Sequence, residues 1–109
     1  MQEKTVKIGD KEVRLRTSGY TPLFYNDLFH ENIFAEMNGI ISAAGVNGTV
    51  PFEKVPILYK LAYCMAKEAD DSIPGIREWL GELNVYDIPD IAGELIKLWA
   101  AENQNQSTP

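Results

Sequence analysis

The chain has 109 residues, enough for one domain with one hydrophobic core. Its hydrophobic fraction of 45% is ordinary for a folded globule and argues against global disorder. Sixteen acidic and ten basic residues give a net charge of -6, which argues against binding a nucleic acid, whose phosphates need Lys and Arg. The single cysteine excludes an internal disulfide, and no apolar run approaches the roughly 20 residues that span a bilayer. The first residues lack the apolar core of a signal peptide, so we expect a cytosolic protein without membrane contact.

An alternating pattern near the N-terminus predicts two short antiparallel strands. Over residues 4–16, apolar side chains alternate with polar ones on either side of Gly9-Asp10-Lys11, a typical turn sequence. The side chains expected to point toward the core are Val6, Ile8, Val13 and Leu15. Because an isolated hairpin is marginally stable in water, its apolar face is expected to pack on the helices that follow.

Thr21-Pro22 predicts the start of the first helix, with a capping hydroxyl and a proline at the first helical position. Apolar side chains then recur at four-residue steps, which predicts a helix as far as about Met37. Those side chains are Phe24 and Leu28 on one stripe, and Tyr25, Phe29 and Ile33 on its neighbour. Residues 38–48, rich in Gly, Asn and small side chains, fit either a weak helical turn or a mobile connection.

Three further helical patterns occupy the second half of the chain. The first begins either near Pro51, with a kink, or near Val55 with Pro56 in its first turn. Asp70-Asp71-Ser72 is expected to end it and to cap the next helix, which would carry Pro74 in its first turn. The expected buried stripes are Val55, Leu58, Leu61, Ala62 and Met65; then Ile73, Ile76, Trp79, Leu80 and Leu83; then Ile88, Ile91, Leu95, Leu98 and Trp99.

The last of these helices follows a turn over Asn84 to Asp87, with Asp87 as its expected cap. Beyond Ala101 the sequence is polar and lacks side chains that could pack. We therefore predict a single domain over residues 1–102 and a flexible polar tail over residues 103–109. The predicted fold is mainly α, with an N-terminal β-hairpin followed by a small bundle of about four to five helices.

A search for chemistry finds no set of acid, base and nucleophile, so we expect neither an enzyme nor a cofactor. His30 has polar neighbours and no accompanying nucleophile motif, which is typical of a surface histidine. Cys64 has no basic residue nearer in sequence than Lys60 and Lys67, which favours a buried structural thiol. Adjacent acids at residues 70–71 are better explained by a helix N-terminus than by a metal, since no metal-ligand spacing accompanies them.

The aromatic residues divide into two groups. Trp79 and Trp99 fall on the buried stripes of their helices and are assigned to the core. Tyr25, Phe29 and Phe34 crowd the first predicted helix with more bulk than one face can bury, so part of that helix is expected to form an exposed apolar patch. These three residues are the predicted partner-binding residues.

Several phrases of the sequence resemble a known family. They are the hairpin Thr5 to Arg16, the phrase Tyr25-Asn26-Asp27-Leu28-Phe29-His30-Glu31-Asn32-Ile33-Phe34, the run Leu61 to Lys67, Ile73-Pro74, and Glu78-Trp79-Leu80. As a set, spanning roughly residues 4–100, they resemble the tail assembly chaperones of long-tailed phages and prophages of Gram-positive bacteria. The chain departs from that pattern at Asn26, where an arginine is usual, and at His30-Glu31-Asn32, which replaces a Gly-Arg-Asp phrase.

The resemblance implies a non-enzymatic protein of the host bacterial cytoplasm that is absent from the mature virion. Such chaperones bind the tape measure protein, keep it soluble and help recruit tail tube subunits. Self-association stays open. Two other classes also stay open: a structural phage tail or connector component, and an acidic inhibitor that imitates nucleic acid, which would need its carboxylates gathered on one surface.

Overall fold

In a computed structural model, a β-hairpin and the other helices pack around one central helix. The structure describes the backbone of residues 1–47 and 50–107 and the side chains of residues 1–43 and 50–101. The elements are β1 (Gln2–Ile8), β2 (Lys11–Thr17), α1 (Thr21–Phe29), α2 (Ile33–Asn47), one 3₁₀ turn (Phe52–Lys54), α3 (Val55–Ala69), α4 (Ile76–Gly81), α5 (Asp87–Asp90) and α6 (Ala92–Ser107). The predicted class, mainly α with an N-terminal hairpin, is confirmed.

The predicted hairpin forms with its turn at Gly9-Asp10. β1 and β2 pair in antiparallel register, with Val6 opposite Val13. Gly9 has a φ of 65°, a conformation that a glycine adopts without a steric penalty. Four side chains of the hairpin pack on the core, namely Val6, Ile8, Leu15 and, half-buried, Val13. The Arg14 guanidinium donates to the carbonyl of Ala69 at 2.8 Å, which ties the hairpin to the C-terminal end of α3.

The helix predicted from residue 21 to about Met37 is interrupted. α1 ends at His30, which adopts the left-handed conformation (φ 56°, ψ 39°) and donates its backbone N–H to the carbonyl of Asn26 at 2.8 Å. The Asn32 side chain then accepts from the N–H of Phe34 at 2.9 Å, at the start of α2. The chain therefore turns between Phe29 and Ile33, and the two halves of the predicted helix bury different faces.

α2 also continues further than predicted, because residues 38–47 are helical. Met37 and Ile40 are fully buried, and their burial accounts for a helix through a stretch of weak intrinsic propensity. The last residue of the predicted weak turn or mobile connection, Gly48, lies outside the described residues.

α3 is the central helix and begins at Val55 with Pro56 in its first turn, as one of the two alternatives predicted. It contacts β2, α1, α4, α5 and α6. All residues from Leu61 to Ala66 are buried, which goes beyond the single apolar stripe predicted. A helix that packs against so many neighbouring elements has little surface left for polar residues.

The three predicted side-chain caps are wrong. Thr21 is the first residue of α1, and its hydroxyl donates to Glu68 on α3 instead of capping its own helix. Asp70 accepts from the N–H and hydroxyl of Ser72 at 3.0 and 2.7 Å, while α4 begins later, after Gly75. Asp87 lies inside α5 and accepts from the N–H of Asn84 at 2.8 Å.

The last predicted helix is divided at Ile91 into α5 and α6, but its buried stripe is confirmed: Ile88, Ile91, Leu95, Leu98 and Trp99. Trp79 and Trp99 are 7% and 5% exposed, so their assignment to the core is also confirmed. α6 is helical to Ser107, whereas the side chains of the predicted tail, residues 103–109, lie outside the described part of the chain.

Candidate partner-binding surfaces

Tyr25, the first predicted partner-binding residue, lies in the core. Its side chain is 0% exposed, and its hydroxyl donates to Oε1 of Glu31 at 2.8 Å. Burial, together with that hydrogen bond, raises the pKa of the Tyr25 phenol above its usual range. The expectation that Tyr25 belongs to an exposed patch is therefore wrong, because the bend after α1 lets this ring face the rest of the fold.

Phe29 is half-buried beside Tyr25, with the two ring centroids 5.0 Å apart in an edge-to-face arrangement. The ammonium group of Lys60 on α3 lies 5.4 Å from the Phe29 centroid and 3.1 Å from both oxygens of Glu31. The hydrogen bond from Tyr25, and then Lys60, lower the pKa of the Glu31 carboxyl. A clamp of four side chains holds the α1–α2 bend against α3: Tyr25, Phe29, Glu31 and Lys60. Tyr25 and Phe29, which were predicted to bind a partner, thus have a structural role in the fold.

Phe34 is the one predicted residue with a largely accessible ring, 50% exposed. Its ring meets that of Trp99 in an edge-to-face arrangement, with the centroids 5.6 Å apart. Together with Leu23, which is 56% exposed, it borders a groove of about 450 Å³ between α1 and α2. We call this the α1–α2 groove; its lining also includes Pro22, Ile33, Asn26, Glu31 and Asn32. The structure thus brings Tyr25 and Phe29 together and places Phe34 on a different surface.

A second apolar surface lies where the 3₁₀ turn meets the turn before α5. It is a cleft of about 340 Å³ that we call the Phe52 cleft, lined by Phe52, Val55, Pro56, Tyr59, Val85, Tyr86 and Pro89. Three of these side chains stand almost free in solvent: Phe52 is 90% exposed, Val85 75% and Tyr86 72%. Large apolar side chains gathered at such exposure mark an interaction surface more often than single exposed residues do.

Local sequence explains how the Phe52 cleft is built. Pro51, with φ -57° and ψ 139°, leads into the 3₁₀ turn and so places Phe52 at the entrance to α3. The hydroxyl of Tyr59, about one helical turn along α3 from Val55, donates to the carbonyl of Val85 at 2.7 Å and fixes the opposite wall. The signal available in the sequence was the pair Val85-Tyr86, which are apolar residues inside a predicted turn, where polar residues are usual.

The residues considered for chemistry have structural positions. Cys64 is fully buried, and burial raises the pKa of its thiol to about 12. His30 is exposed at the end of α1, where its left-handed backbone terminates the helix. Among the residues whose positions are described, no three His, Cys, Asp or Glu side chains are grouped so that they could hold a metal ion. The two apolar surfaces are therefore the candidate functional sites.

Comparisons of the chain with protein-family models, with curated proteins and with solved structures found no match. A search of the described helices for a stretch long and apolar enough to cross a membrane also found none.

Proposed function

We propose that this chain is a phage tail assembly chaperone, which binds the tape measure protein, keeps it soluble and helps recruit tail tube subunits. The observation that carries the proposal is the Phe52 cleft, an exposed apolar concavity on a small acidic protein. The resemblance of the hairpin, the Tyr25 to Phe34 phrase and the second-half phrases to that family supports it independently. In this proposal the protein acts in the host cytoplasm, is not an enzyme and is absent from the finished virion.

The physical requirements of such a chaperone fit the two surfaces. A long helical tape measure protein exposes apolar stripes before the tail tube covers them, and exposed stripes aggregate. An apolar cleft can cover part of a stripe by helix-in-groove contact, while the net charge of -6 keeps the complex dispersed. The cleft is small, so each copy would bind weakly and many copies along one chain would supply avidity, which allows later release.

Co-expression with the tape measure protein of the same phage or prophage tests this proposal. We expect the soluble fraction of that protein to rise when the chain is present, and the two proteins to co-purify. A matched control is a chain carrying Leu28→Ala, since Leu28 is an exposed apolar side chain (43%) outside both surfaces. This variant should solubilise the tape measure protein as well as the unmodified chain does.

Analysis of purified virions separates this function from its alternative. A chaperone should be missing from the particles, whereas a structural tail or connector component should be present. If the tape measure protein precipitates regardless, nothing co-purifies and the chain is found in virions, the chaperone proposal fails and the structural alternative replaces it.

A further inference from the structure

We propose that the Phe52 cleft binds a basic amphipathic helix, one whose apolar stripe is bordered by Lys or Arg. This inference rests on the proposed function and deepens it, because it names the surface and the chemistry of the bound segment. It differs from the prediction made from the sequence, which placed the partner at Tyr25, Phe29 and Phe34.

The lining of the cleft selects an apolar occupant. Phe52, Val85 and Tyr86 present hydrocarbon to solvent, and Val55, Pro56 and Pro89 complete the floor and walls. The hydroxyl of Tyr59 is already bonded to a backbone carbonyl, so it has no proton left to donate to a ligand. The hydroxyl of Tyr86 is the donor that the lining side chains still offer, so a polar ligand would regain few of the hydrogen bonds that it makes to water, whereas a stripe of aliphatic side chains has none to lose.

The charges next to the lining select basic flanks. Glu53 and Asp90 directly follow the lining residues Phe52 and Pro89, and both are exposed. Neither carboxylate has an ion pair or side-chain hydrogen bond with any residue that the structure describes. The cation next to Glu53 in sequence, Lys54, is directed to Glu36 at 3.5 Å. Two uncompensated carboxylates on a chain of net charge -6 favour Lys and Arg at the edges of the occupant.

The same charges argue against a second copy of this chain as the occupant. In a two-fold dimer the same patch faces itself, so Glu53 and Asp90 of one copy would lie near those of the other. Like charges brought together at an interface oppose association.

The α1–α2 groove is less suited to such a helix. Its polar groups are already hydrogen-bonded within the chain. The Glu31 carboxylate accepts from Tyr25 and Lys60. The side-chain amide of Asn26 donates to the backbone carbonyl of Glu31, and the side-chain oxygen of Asn32 accepts from the N–H of Phe34. The carboxylate in the lining of the groove, Glu31, is already paired with Lys60. One exposed carboxylate, Asp27, directly follows a lining residue here, whereas the Phe52 cleft has two, and the walls of the groove are parts of the bend itself.

Two synthetic helical peptides test the inference. Both have about five helical turns (about 18 residues) and the same stripe of leucines; one has lysines along the stripe and the other has glutamates. We expect the lysine peptide to bind the full chain at low salt (about 0.05 M) and less tightly at high salt (about 0.5 M), and the glutamate peptide to bind at least about 10-fold more weakly. Fluorescence anisotropy of labelled peptides measures both affinities.

Matched double variants locate the site. Phe52→Ala with Tyr86→Ala should weaken binding of the lysine peptide at least about 10-fold, whereas Leu23→Ala with Phe34→Ala at the other groove should change it less than about 2-fold. Glu53→Lys with Asp90→Lys should reverse the preference between the peptides. Urea unfolding of each variant verifies that it remains folded, as expected for Phe52 and Tyr86, whose side chains are largely solvated.

Equal binding of the two peptides would overturn the inference, and so would a loss of binding in the Leu23 and Phe34 variant instead. A dimer of the chain alone that the Phe52 and Tyr86 variant dissociates would identify a second copy as the occupant and would overturn it as well. Failure here is distinguishable from failure of the chaperone function. If the Phe52 and Tyr86 variant still solubilises the tape measure protein, the function stands and the assigned surface is wrong.

Discussion

Replacing Tyr25 by phenylalanine removes one hydroxyl from the clamp and keeps the buried ring in place. That hydroxyl donates to Oε1 of Glu31 at 2.8 Å, an oxygen that also lies 3.1 Å from the ammonium group of Lys60. A hydrogen bond to a charged acceptor contributes about 1.5–3 kcal/mol to stability when it is buried. The Glu31 side chain is 38% exposed, so water can replace the lost donor, and we expect the free energy of unfolding to fall by about 1 kcal/mol.

The same substitution should have an effect that depends on pH. The hydrogen bond from Tyr25 is the largest cause of the lowered pKa of Glu31 in the folded chain. A carboxyl with a lowered folded pKa stabilises the fold above its unfolded pKa, about 4.3, and loses that contribution as the pH falls through the folded value. The difference between the unmodified chain and Tyr25→Phe should therefore be full at about pH 7 and shrink below about pH 4.

Urea unfolding, followed by the fluorescence of the two buried tryptophans, measures the free energy of unfolding of the unmodified chain and of Tyr25→Phe at about pH 7 and about pH 3. Tyr63→Phe is the matched control, because its buried hydroxyl donates to the neutral carbonyl of Pro74 at 2.8 Å. The control should lose a similar free energy, about 1 kcal/mol, at both pH values. A Tyr25→Phe effect that is absent at neutral pH, or that stays the same in acid, would refute the assignment of this hydrogen bond.

Three further results follow from the backbone and the core. Gly9→Ala should lower the free energy of unfolding by at least about 1 kcal/mol, because φ is 65° and the new Cβ would lie 2.8 Å from Oδ2 of Asp87; a neutral result in urea unfolding would contradict this. His30→Gly should instead raise the free energy of unfolding by up to about 1 kcal/mol, since glycine adopts the left-handed conformation at the helix end without strain. A lower free energy of unfolding in the same assay would show that the imidazole stabilises the fold by more than the left-handed backbone destabilises it. Cys64, with its thiol pKa raised to about 12 and no exposure, should not react with a thiol reagent at about pH 8 until urea unfolds the chain; rapid reaction of the native protein would show that the core opens there.

Periodicity predicted most of the buried side chains, but in the stripe expected around α4 only Trp79 is buried, while Ile73, Ile76, Leu80 and Leu83 are half-buried. The alternation on either side of Gly9, the face of α3 and the stripe ending at Trp99 all follow from spacing alone, because a core must be covered by one side of each element. Local chemistry left two starts open for α3, near Pro51 or near Val55, because a proline fits the first turn of a helix in both cases, and the structure has the start at Val55.

Features that depend on distant residues did not follow from the sequence. The hydroxyl of Thr21 bonds to Glu68, 47 positions away, and nothing local distinguishes that partner from a capping interaction. The left-handed turn at His30 carries no glycine signal, so one helix was predicted where two form. That bend also explains the error at Tyr25: crowding on one long helix would force aromatic rings outward, whereas two shorter helices bury them in different directions.

The two candidate surfaces also combine residues that the sequence predicted with residues that it did not. Phe34 is exposed as predicted, since it lies beyond the bend, while Phe52 and Tyr86 come from segments 34 positions apart that meet only in the folded chain. Each residue alone resembles an ordinary exposed aromatic side chain. Only the position of α3 between the two segments turns them into the walls of one cleft.

The hydrogen bond from Tyr59 to the carbonyl of Val85 has a consequence for the thermodynamics of binding. It ties to α3 a turn that hydrogen bonds between Asn84 and Asp87 also hold, and so the wall formed by Val85 and Tyr86 is ordered during folding. A preorganised wall loses little conformational entropy when a partner arrives, so more of the contact energy is expressed as affinity. Binding at this surface should accordingly proceed with little rearrangement of the backbone, and its rate should be set mainly by encounter of the two molecules.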